Sequence, residues 1–202
     1  MKAPSDLELW QRAGEGDRAA FGLLFDRHSR TVYNYCFRRT ANWSVAEDLT
    51  SLVFLEGWRR RGEVQFVDGR VLPWLLGVAT NLIRNRWRTA RRQRAALARL
   101  APAEPQADFA EDLLDRLADQ EQMRRVLAHL RRLPRAMQDV LALCVWSELS
   151  YEEAAVALGI PVGTVRSRLS RARTRLAELE RRSGHRAGVG QTASALTENG
   201  EP

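Results

Sequence analysis

Residues 150–173 read SYEEAAVALGIPVGTVRSRLSRAR, and this stretch decides the fold of the second half of the chain. Ser150 and Glu153 have the spacing of a capping box, which begins a helix by satisfying free backbone N–H groups. Gly159 can take the left-handed conformation that ends a helix, and Pro161 cannot continue one. A second helix is predicted directly after the proline. Two helices joined by such a tight turn indicate a helix-turn-helix.

The second predicted helix has an apolar stripe and a polar face. The stripe recurs at spacings of three and four residues, the pattern of a helix buried on one side, and consists of Val165, Leu169, Ala172, Leu176 and Leu179. Arginine and hydroxyl groups lie away from it, and arginine can form paired hydrogen bonds to guanine in the major groove. We interpret this face as a DNA-binding surface. The alternative is an ordinary solvated charged face.

A second basic segment lies in the first half of the chain. No acidic residue occurs between Asn81 and Leu100, and the arginines there are Arg84, Arg86, Arg88, Arg91, Arg92, Arg94 and Arg99. Dense arginine without compensating acid is costly to hold together unless a polyanion is near. The pattern favours a track for phosphates, which position a protein on nucleic acid without reading its sequence. The alternative is a solubilising helix end.

Helical patterns dominate the rest of the chain, and strand patterns are absent. Asp17 is predicted to cap a helix, Ser44 and Glu47 form a second capping-box pattern, and a helix is predicted from near Pro73. We therefore predict an all-α fold of two small helical domains joined by a flexible acidic linker, the second a helix-turn-helix domain. The predicted segments are a first domain at 1–98, the linker at 99–120, the second domain at 121–182 and a disordered tail at 183–202.

Composition narrows the function classes. The chain has 202 residues, a formal net charge of +7 and 45% hydrophobic residues, which favours nucleic acid, an anionic surface or an acidic protein as partner. No membrane span and no signal peptide are visible, so we expect a cytoplasmic protein. Cys36 and Cys144 are isolated, and the three histidines are scattered. We therefore expect no metal site, no cofactor and no catalytic residues.

The second half resembles the fourth conserved region of extracytoplasmic-function (ECF) sigma factors, in the sigma-70 family. The likeness rests on Leu133-Pro134, on LSYEEAA at 149–155 and on LGIPVGTVRSRLSRAR at 158–173. In that family this region reads the −35 promoter element. The resemblance implies −35 DNA contacts for Thr164, Arg166, Ser167, Ser170 and Arg171.

The first half resembles the second conserved region of the same family. AEDL at 46–49, followed by Phe54 and by GWR at 57–59, resembles the part that docks on a coiled coil of the largest polymerase subunit. The resemblance implies polymerase contacts for Asp48, Leu52, Phe54 and Trp58. WLLGVATNL at 74–82 resembles the part that opens and reads the −10 element. It implies −10 contacts for Asn81, Arg84, Arg88 and Arg91.

The resemblance implies an alternative sigma factor, which would direct promoter-specific transcription initiation by binding and without chemistry of its own. Its expected partners are promoter DNA and core RNA polymerase, through the largest-subunit coiled coil and the flap. An anti-sigma factor is a common further partner in the family. Two alternatives stay open at this point. A stand-alone helix-turn-helix regulator would need a dimer surface, and a nucleic-acid enzyme would need a catalytic group that the sequence does not offer.

Overall fold

The computed structural model describes residues 3–64, 66–97 and 113–195, and within these ranges the protein is all-α. Eight α-helices and no β-strand occur there, apart from an isolated bridge between Val67 and Arg70. The helices are α1 (Asp6–Gly14), α2 (Arg18–Thr40), α3 (Trp43–Arg59), α4 (Leu72–Leu97), α5 (Leu113–Leu130), α6 (Arg135–Leu141), α7 (Tyr151–Leu158) and α8 (Val162–Ala195). A 3-10 turn (Arg61–Glu63) follows α3 and a π-helical turn (Ala142–Trp146) follows α6. The predicted all-α fold class is confirmed.

Helices α1 to α4 form the first domain around an apolar core. Leu9, Leu24, Val53 and Leu75 are each completely buried, and each comes from a different helix. Burying one such side chain is worth about 1.5–3 kcal/mol. The core is therefore assembled by all four helices together, and the domain depends on their joint packing.

The starts of α2 and α3 test two of the sequence predictions. Asp17 caps α2, as predicted, by accepting a hydrogen bond from the backbone N–H of Ala20 at 3.0 Å. Helix α3 begins one residue before Ser44, so the predicted capping box at Ser44 is wrong. The cap is Asn42, whose side-chain oxygen accepts from the backbone N–H of Val45 at 2.9 Å. Asparagine caps a helix as well as serine does, and Asn42 comes first in the chain.

Asp6 fixes the position of α1 in the first domain. Its carboxylate accepts hydrogen bonds from Arg27 at 2.6 Å and His28 at 2.9 Å, both on α2, and from the backbone N–H of Val71 at 3.2 Å. Burial alone would raise the pKa of Asp6, but the hydrogen bonds from His28 and Arg27 outweigh it and lower that pKa to about 2. The His28 side chain is buried against this carboxylate.

Helices α5 to α8 form the second domain, which contains the predicted helix-turn-helix. Ser150 accepts from the backbone N–H of Glu153 at 3.1 Å, and the Glu153 carboxylate accepts from the backbone N–H of Ser150 at 2.8 Å, so the capping box is confirmed. Gly159 ends α7 with a φ of 62°, in the left-handed region that glycine adopts without strain. Helix α8 then begins at Val162 and buries Val165 and Leu169.

The two domains are in contact. Helix α7 packs on α4, and one continuous cluster of buried apolar side chains runs from Leu75 and Leu76 of α4 to Ala154 and Val165 of the second domain. The domains therefore share a buried, largely apolar interface in this structure, although the chain between them, 98–112, lies outside the described residues.

The element boundaries differ from the predicted segments in two places. Helix α5 begins at Leu113, inside the predicted linker of 99–120, since acidic residues near a helix start are favourable and need not signal an extended linker. Helix α8 continues to Ala195, into the predicted disordered tail of 183–202. Residues 196–202 lie outside the described residues, so the prediction stays a prediction there.

Candidate nucleic-acid and polymerase interfaces

Helix α8 presents its candidate DNA-binding residues on the side away from the core. Arg166, Ser170 and Arg171 are exposed, while Thr164 and Ser167 are half-buried. The Ser167 hydroxyl donates to the backbone carbonyl oxygen of Thr164 at 3.1 Å, so it is partly engaged within the helix. The exposed set is therefore Arg166, Ser170 and Arg171, and the half-buried pair borders it.

Arg166 is held by its neighbours on α7 without being buried. Its guanidinium lies 5.6 Å from the ring centroid of Tyr151 and 3.9 Å from the Glu152 carboxylate. Both contacts are at the surface, where an ion pair contributes at most about 1 kcal/mol. A phosphate or a guanine edge can replace them at little cost, so the side chain is positioned and remains available.

Helix α4 carries the second basic face. Asn81, Arg84, Arg88 and Arg91 follow one another at spacings of three, four and three residues, so they lie on one side of the helix. Asn81, Arg88 and Arg91 are exposed, whereas Arg84 is half-buried. Arg84 pairs with the Asp139 carboxylate of the second domain at 2.8 Å. Three of the four candidate −10 residues are thus open to solvent, and the fourth is tied to a carboxylate.

Beside this face, an open depression of about 780 Å³ is lined by arginines from both domains. Arg88, Arg91 and Arg92 come from α4, and Arg135 comes from the start of α6. Four guanidinium groups around one depression create a local positive potential that attracts a polyanion. The sequence prediction missed Arg135, because nothing in the sequence places the start of α6 beside α4.

The candidate polymerase-binding residues of α3 do not share one degree of exposure. Asp48 is exposed, Leu52 is 44% exposed and Trp58 is half-buried, but Phe54 is only 5% exposed. Its ring packs against Phe25 with centroids 4.7 Å apart. The prediction that Phe54 contacts a partner is therefore corrected: a buried ring supports the surface from below and cannot touch a partner directly.

The structure adds apolar residues that the sequence prediction missed. Leu55 is 45% exposed, three residues after Leu52 on the same side of α3, and Leu23 and Phe25 of α2 are 48% and 42% exposed. Leu55 and Phe25 each precede an acidic residue in the sequence, which was a signal of their exposure, whereas Leu23 has no such neighbour. Large apolar side chains left open to water on α2 and α3 favour a protein partner for the first domain.

Among the described residues, the two cysteines show no sign of a reactive site. Burial raises the pKa of the Cys36 thiol to about 12, and burial also raises the pKa of Cys144, so both thiols are poor nucleophiles and poor metal ligands. Across 3–64, 66–97 and 113–195, no cluster of histidine, cysteine and carboxylate side chains could hold a metal ion. Within the same ranges no helix is long and apolar enough to cross a membrane.

Both halves of the chain match models of one protein family. Residues 24–93 match the model described as sigma-70 region 2, and residues 123–176 match sigma-70, region 4. The first match contains α3 and most of α4, and the second contains the helix-turn-helix. The two basic faces described above thus lie in two different conserved regions of this family.

Known proteins and structures agree with these matches. The chain is 35% identical to RNA polymerase sigma factor HrpL of Pseudomonas syringae pv. syringae over 139 residues, which is 69% of this chain and 75% of that protein. It is 30% identical to ECF RNA polymerase sigma factor SigK of Mycobacterium tuberculosis over 168 residues, 82% of this chain and 88% of that protein. The solved structure of CnrH in complex with the cytosolic domain of CnrY has a similar fold, with a TM-score of 0.64 and 24% identity over 87% of this chain and 97% of that chain.

The fold, the order of the two regions and the identity to SigK over most of both chains lead to the same conclusion. The chain belongs to the ECF sigma factors of the sigma-70 family, and it is an alternative sigma factor that directs transcription initiation.

Proposed function

We propose that this sigma factor docks on core RNA polymerase through α2 and α3 and reads a promoter with α8 at the −35 element and α4 at the −10 element. It then assists DNA melting and is released. The proposed action is binding alone, without a catalytic step or a cofactor of its own. The proposal places the protein in the cytoplasm, where core polymerase meets chromosomal DNA, and it includes an anti-sigma factor as a further partner.

One observation carries the proposal: two basic faces lie on two different helical domains. The α8 face offers exposed Arg166 and Arg171 on a helix whose other side is anchored in the core. This suits the major groove of duplex DNA, where an arginine distinguishes guanine from other bases. The α4 face offers a longer run of arginines, which suits the phosphates of a separated strand.

The docking surface has a different chemistry, which supports a protein partner there. It combines acidic Asp48 with exposed Leu52 and Leu55. A nucleic acid would be repelled by the carboxylate and would gain little from the leucines. A basic and apolar helix surface would instead be complementary, as we propose for the coiled coil of the largest polymerase subunit. The flap would meet the second domain.

The test is transcription in vitro from fragmented genomic DNA, with core polymerase in the presence and absence of this protein, followed by sequencing of the transcript 5′ ends. We expect new starts that share two spaced upstream motifs. Arg171→Ala should weaken discrimination at the −35 motif by about 1–3 kcal/mol. Arg181→Ala, further along the same helix, is the matched control and should leave the starts unchanged. No new starts from a protein that still binds duplex DNA would support a stand-alone regulator instead.

The docking surface has its own test. Asp48→Arg should weaken binding to core polymerase, because it places a cation where the proposal needs a carboxylate. Glu15→Arg makes the same charge change at an exposed position on the end of α1 and is the matched control. Co-purification with core polymerase measures the effect, and equal recovery of both variants would refute the docking surface.

A further inference from the structure

Helix α1 contacts both ends of the segment that joins α3 to α4. This α3–α4 segment is described at 61–64 and 66–71. At its start, the indole Nε1–H of Trp10 donates to the backbone carbonyl oxygen of Arg61 at 2.7 Å. At its end, the Asp6 carboxylate accepts from the backbone N–H of Val71 at 3.2 Å. Two side chains of one helix therefore anchor the segment at either end.

The two anchoring side chains are themselves fixed in the core of the first domain. Trp10 is 3% exposed, and its ring packs edge to face on Phe66 of the segment and on Trp74 of α4, with centroids 6.3 Å and 5.8 Å apart. Asp6 is held by its hydrogen bonds from α2. The Trp10 ring thus adds a third contact, in the middle of the segment, to the two hydrogen bonds at its ends.

The α3–α4 segment has little regular structure of its own. Among its described residues this is limited to the 3-10 turn at Arg61–Glu63 and an isolated bridge. In the bridge, the backbone N–H of Arg70 donates to the carbonyl oxygen of Val67 at 2.9 Å. Asp68 and Gly69 form the tight turn between them, with φ of 50° and 74°. Because a single hairpin is at best marginally stable in water, the segment depends on outside contacts for its position.

The α3–α4 segment borders the candidate −10 face of α4. Trp74, Val78 and Asn81 follow one another at spacings of four and three residues, so they lie on the side of α4 that carries the −10 row. Glu63 of the segment lines the same cleft of about 260 Å³ as Trp74 and Asn81 do. A DNA strand that follows the row past Asn81 toward the start of α4 therefore meets this segment next.

We propose that α1 positions the α3–α4 segment as part of the surface that reads the −10 element. Trp10 and Asp6 are the positioning residues, and both act through the segment because they are buried. Groups that recognise a ligand must be held to within about 0.5 Å, and anchoring from α1 provides this. The inference rests on the proposed function, since it assigns α4 to the −10 element. The anchoring itself can be measured without DNA, so the two can fail separately.

The first test is hydrogen–deuterium exchange of the full chain carrying Trp10→Phe, which removes the N–H donor and keeps an aromatic ring in the core. Amide exchange at 66–71 should become about two- to tenfold faster, the factor expected for the loss of one hydrogen bond. Trp43→Phe is the matched control. It lies at the other end of the 17-residue helix α3, about 24 Å from the segment at 1.5 Å per residue, and should leave this exchange unchanged.

Two results of the exchange experiment would refute the anchoring. One is an unchanged rate at 66–71 in Trp10→Phe. The other is an equal acceleration throughout α2 and α3, which would show a general loss of packing.

The second test measures promoter discrimination with core polymerase, on a promoter found by the transcription experiment and on its single-base variants. In Trp10→Phe the ratio of transcript from the preferred −10 element to that from its variants should fall about two- to tenfold, and the corresponding −35 ratio should not change. Asp6→Ala, which removes the other anchor, should lower the same −10 ratio. Such a ratio does not depend on the amount of folded protein, so a loss of stability alone leaves it unmoved.

An unchanged −10 ratio in Trp10→Phe, or an equal fall in the −35 ratio, would refute the positioning role. Trp43→Phe should change neither ratio. A wild type that creates no new transcript starts would instead refute the proposed function, and the exchange experiment would still decide whether α1 anchors the segment.

Discussion

Asp6 and Asp139 are two buried carboxylates with similar partners and different consequences. Each accepts hydrogen bonds from two basic side chains, Asp6 from Arg27 and His28, and Asp139 from Arg39 and Arg84. The partners of Asp6 lie within its own domain. Those of Asp139 lie in the other domain. The same chemistry therefore fixes a fold in one region and, in the other, closes a contact that the proposed function needs to break. Elements centred at −35 and −10 lie about 25 base pairs apart, roughly 85 Å of duplex at 3.4 Å per pair, whereas a compact chain of this length is about 45 Å across.

The two carboxylates differ in what happens to their hydrogen-bond partners when the carboxylate is removed. If Asp6 is removed, the His28 ring and the backbone N–H of Val71 stay buried without their acceptor, because α1 and α2 belong to one core. If Asp139 is removed, the domains can separate and its partners return to water. An uncompensated buried charge is costly, whereas a hydrated one is not. Substitution of Asp6 should therefore lower the stability more and change the shape less. Substitution of Asp139 should do the reverse.

The largest effect is expected for Asp6→Ala. It leaves buried His28 and the backbone N–H of Val71 without their acceptor, and we expect the free energy of unfolding to fall by about 3 kcal/mol. Urea unfolding followed by tryptophan fluorescence measures the loss. Asp26→Ala, at an exposed position on α2, is the control and should change the stability little. If Asp6→Ala loses no more stability than Asp26→Ala does, the claim that Asp6 stabilises the first domain is wrong.

A smaller loss of stability is expected in acid, and it tests the same stabilising role of Asp6. The pKa of Asp6 falls from its ordinary value of 3.8 to about 2 in the folded protein. A carboxyl group with a lowered folded pKa stabilises the fold above its unfolded pKa and loses that contribution as pH falls through the folded one. We expect about 2 kcal/mol to be lost between about pH 4 and pH 2.

The acid series is measured by urea unfolding at each pH, with Asp6→Ala beside the wild type. The variant lacks the titrating group, so the difference in stability between the two proteins should shrink across this window. A difference that stays constant from pH 4 to pH 2 would contradict the assignment of the lowered pKa to Asp6.

The smallest effect on stability is expected for Asp139→Ala, although its effect on shape should be large. The domains should separate, and Arg39 and Arg84 should become hydrated, so we expect the free energy of unfolding to fall by less than it does in Asp6→Ala. Urea unfolding and small-angle X-ray scattering on the same sample separate the two effects. A loss near that of Asp6→Ala with an unchanged radius of gyration would make Asp139 a structural residue of an undivided core.

Local signals in the sequence predicted much of the fold. The capping box of Ser150 and Glu153 and the turn at Gly159 were predictable because each acts on its own backbone within a few residues. Ser44 was misassigned because Asn42, an equally good cap, precedes it. Phe54 was placed at the surface by resemblance, although the spacing of α3 puts Leu52 and Leu55 outside and the ring between them inside.

The contact between the domains could not be predicted in the same way. Asp139 meets Arg84 across 55 positions of the chain and Arg39 across 100. The sequence around Asp139, Arg84 or Arg39 contains no local pattern that predicts such a distant partner. Gly77 lies in the middle of a helix, where no turn requires a glycine. The reason for it is the neighbouring backbone of Ala157, which leaves no room for a β-carbon. Residues that act across domains require the assembled structure.

The most direct test of this account is a cryo-electron microscopy structure of the chain with core polymerase and a promoter identified by the transcription experiment. We predict α8 in the major groove of the −35 element and α4 on the separated −10 strand. Asp139 would then lie far from Arg39 and Arg84, with α2 and α3 against the polymerase. A complex in which α7 still packs on Gly77 while both elements are bound would contradict the account.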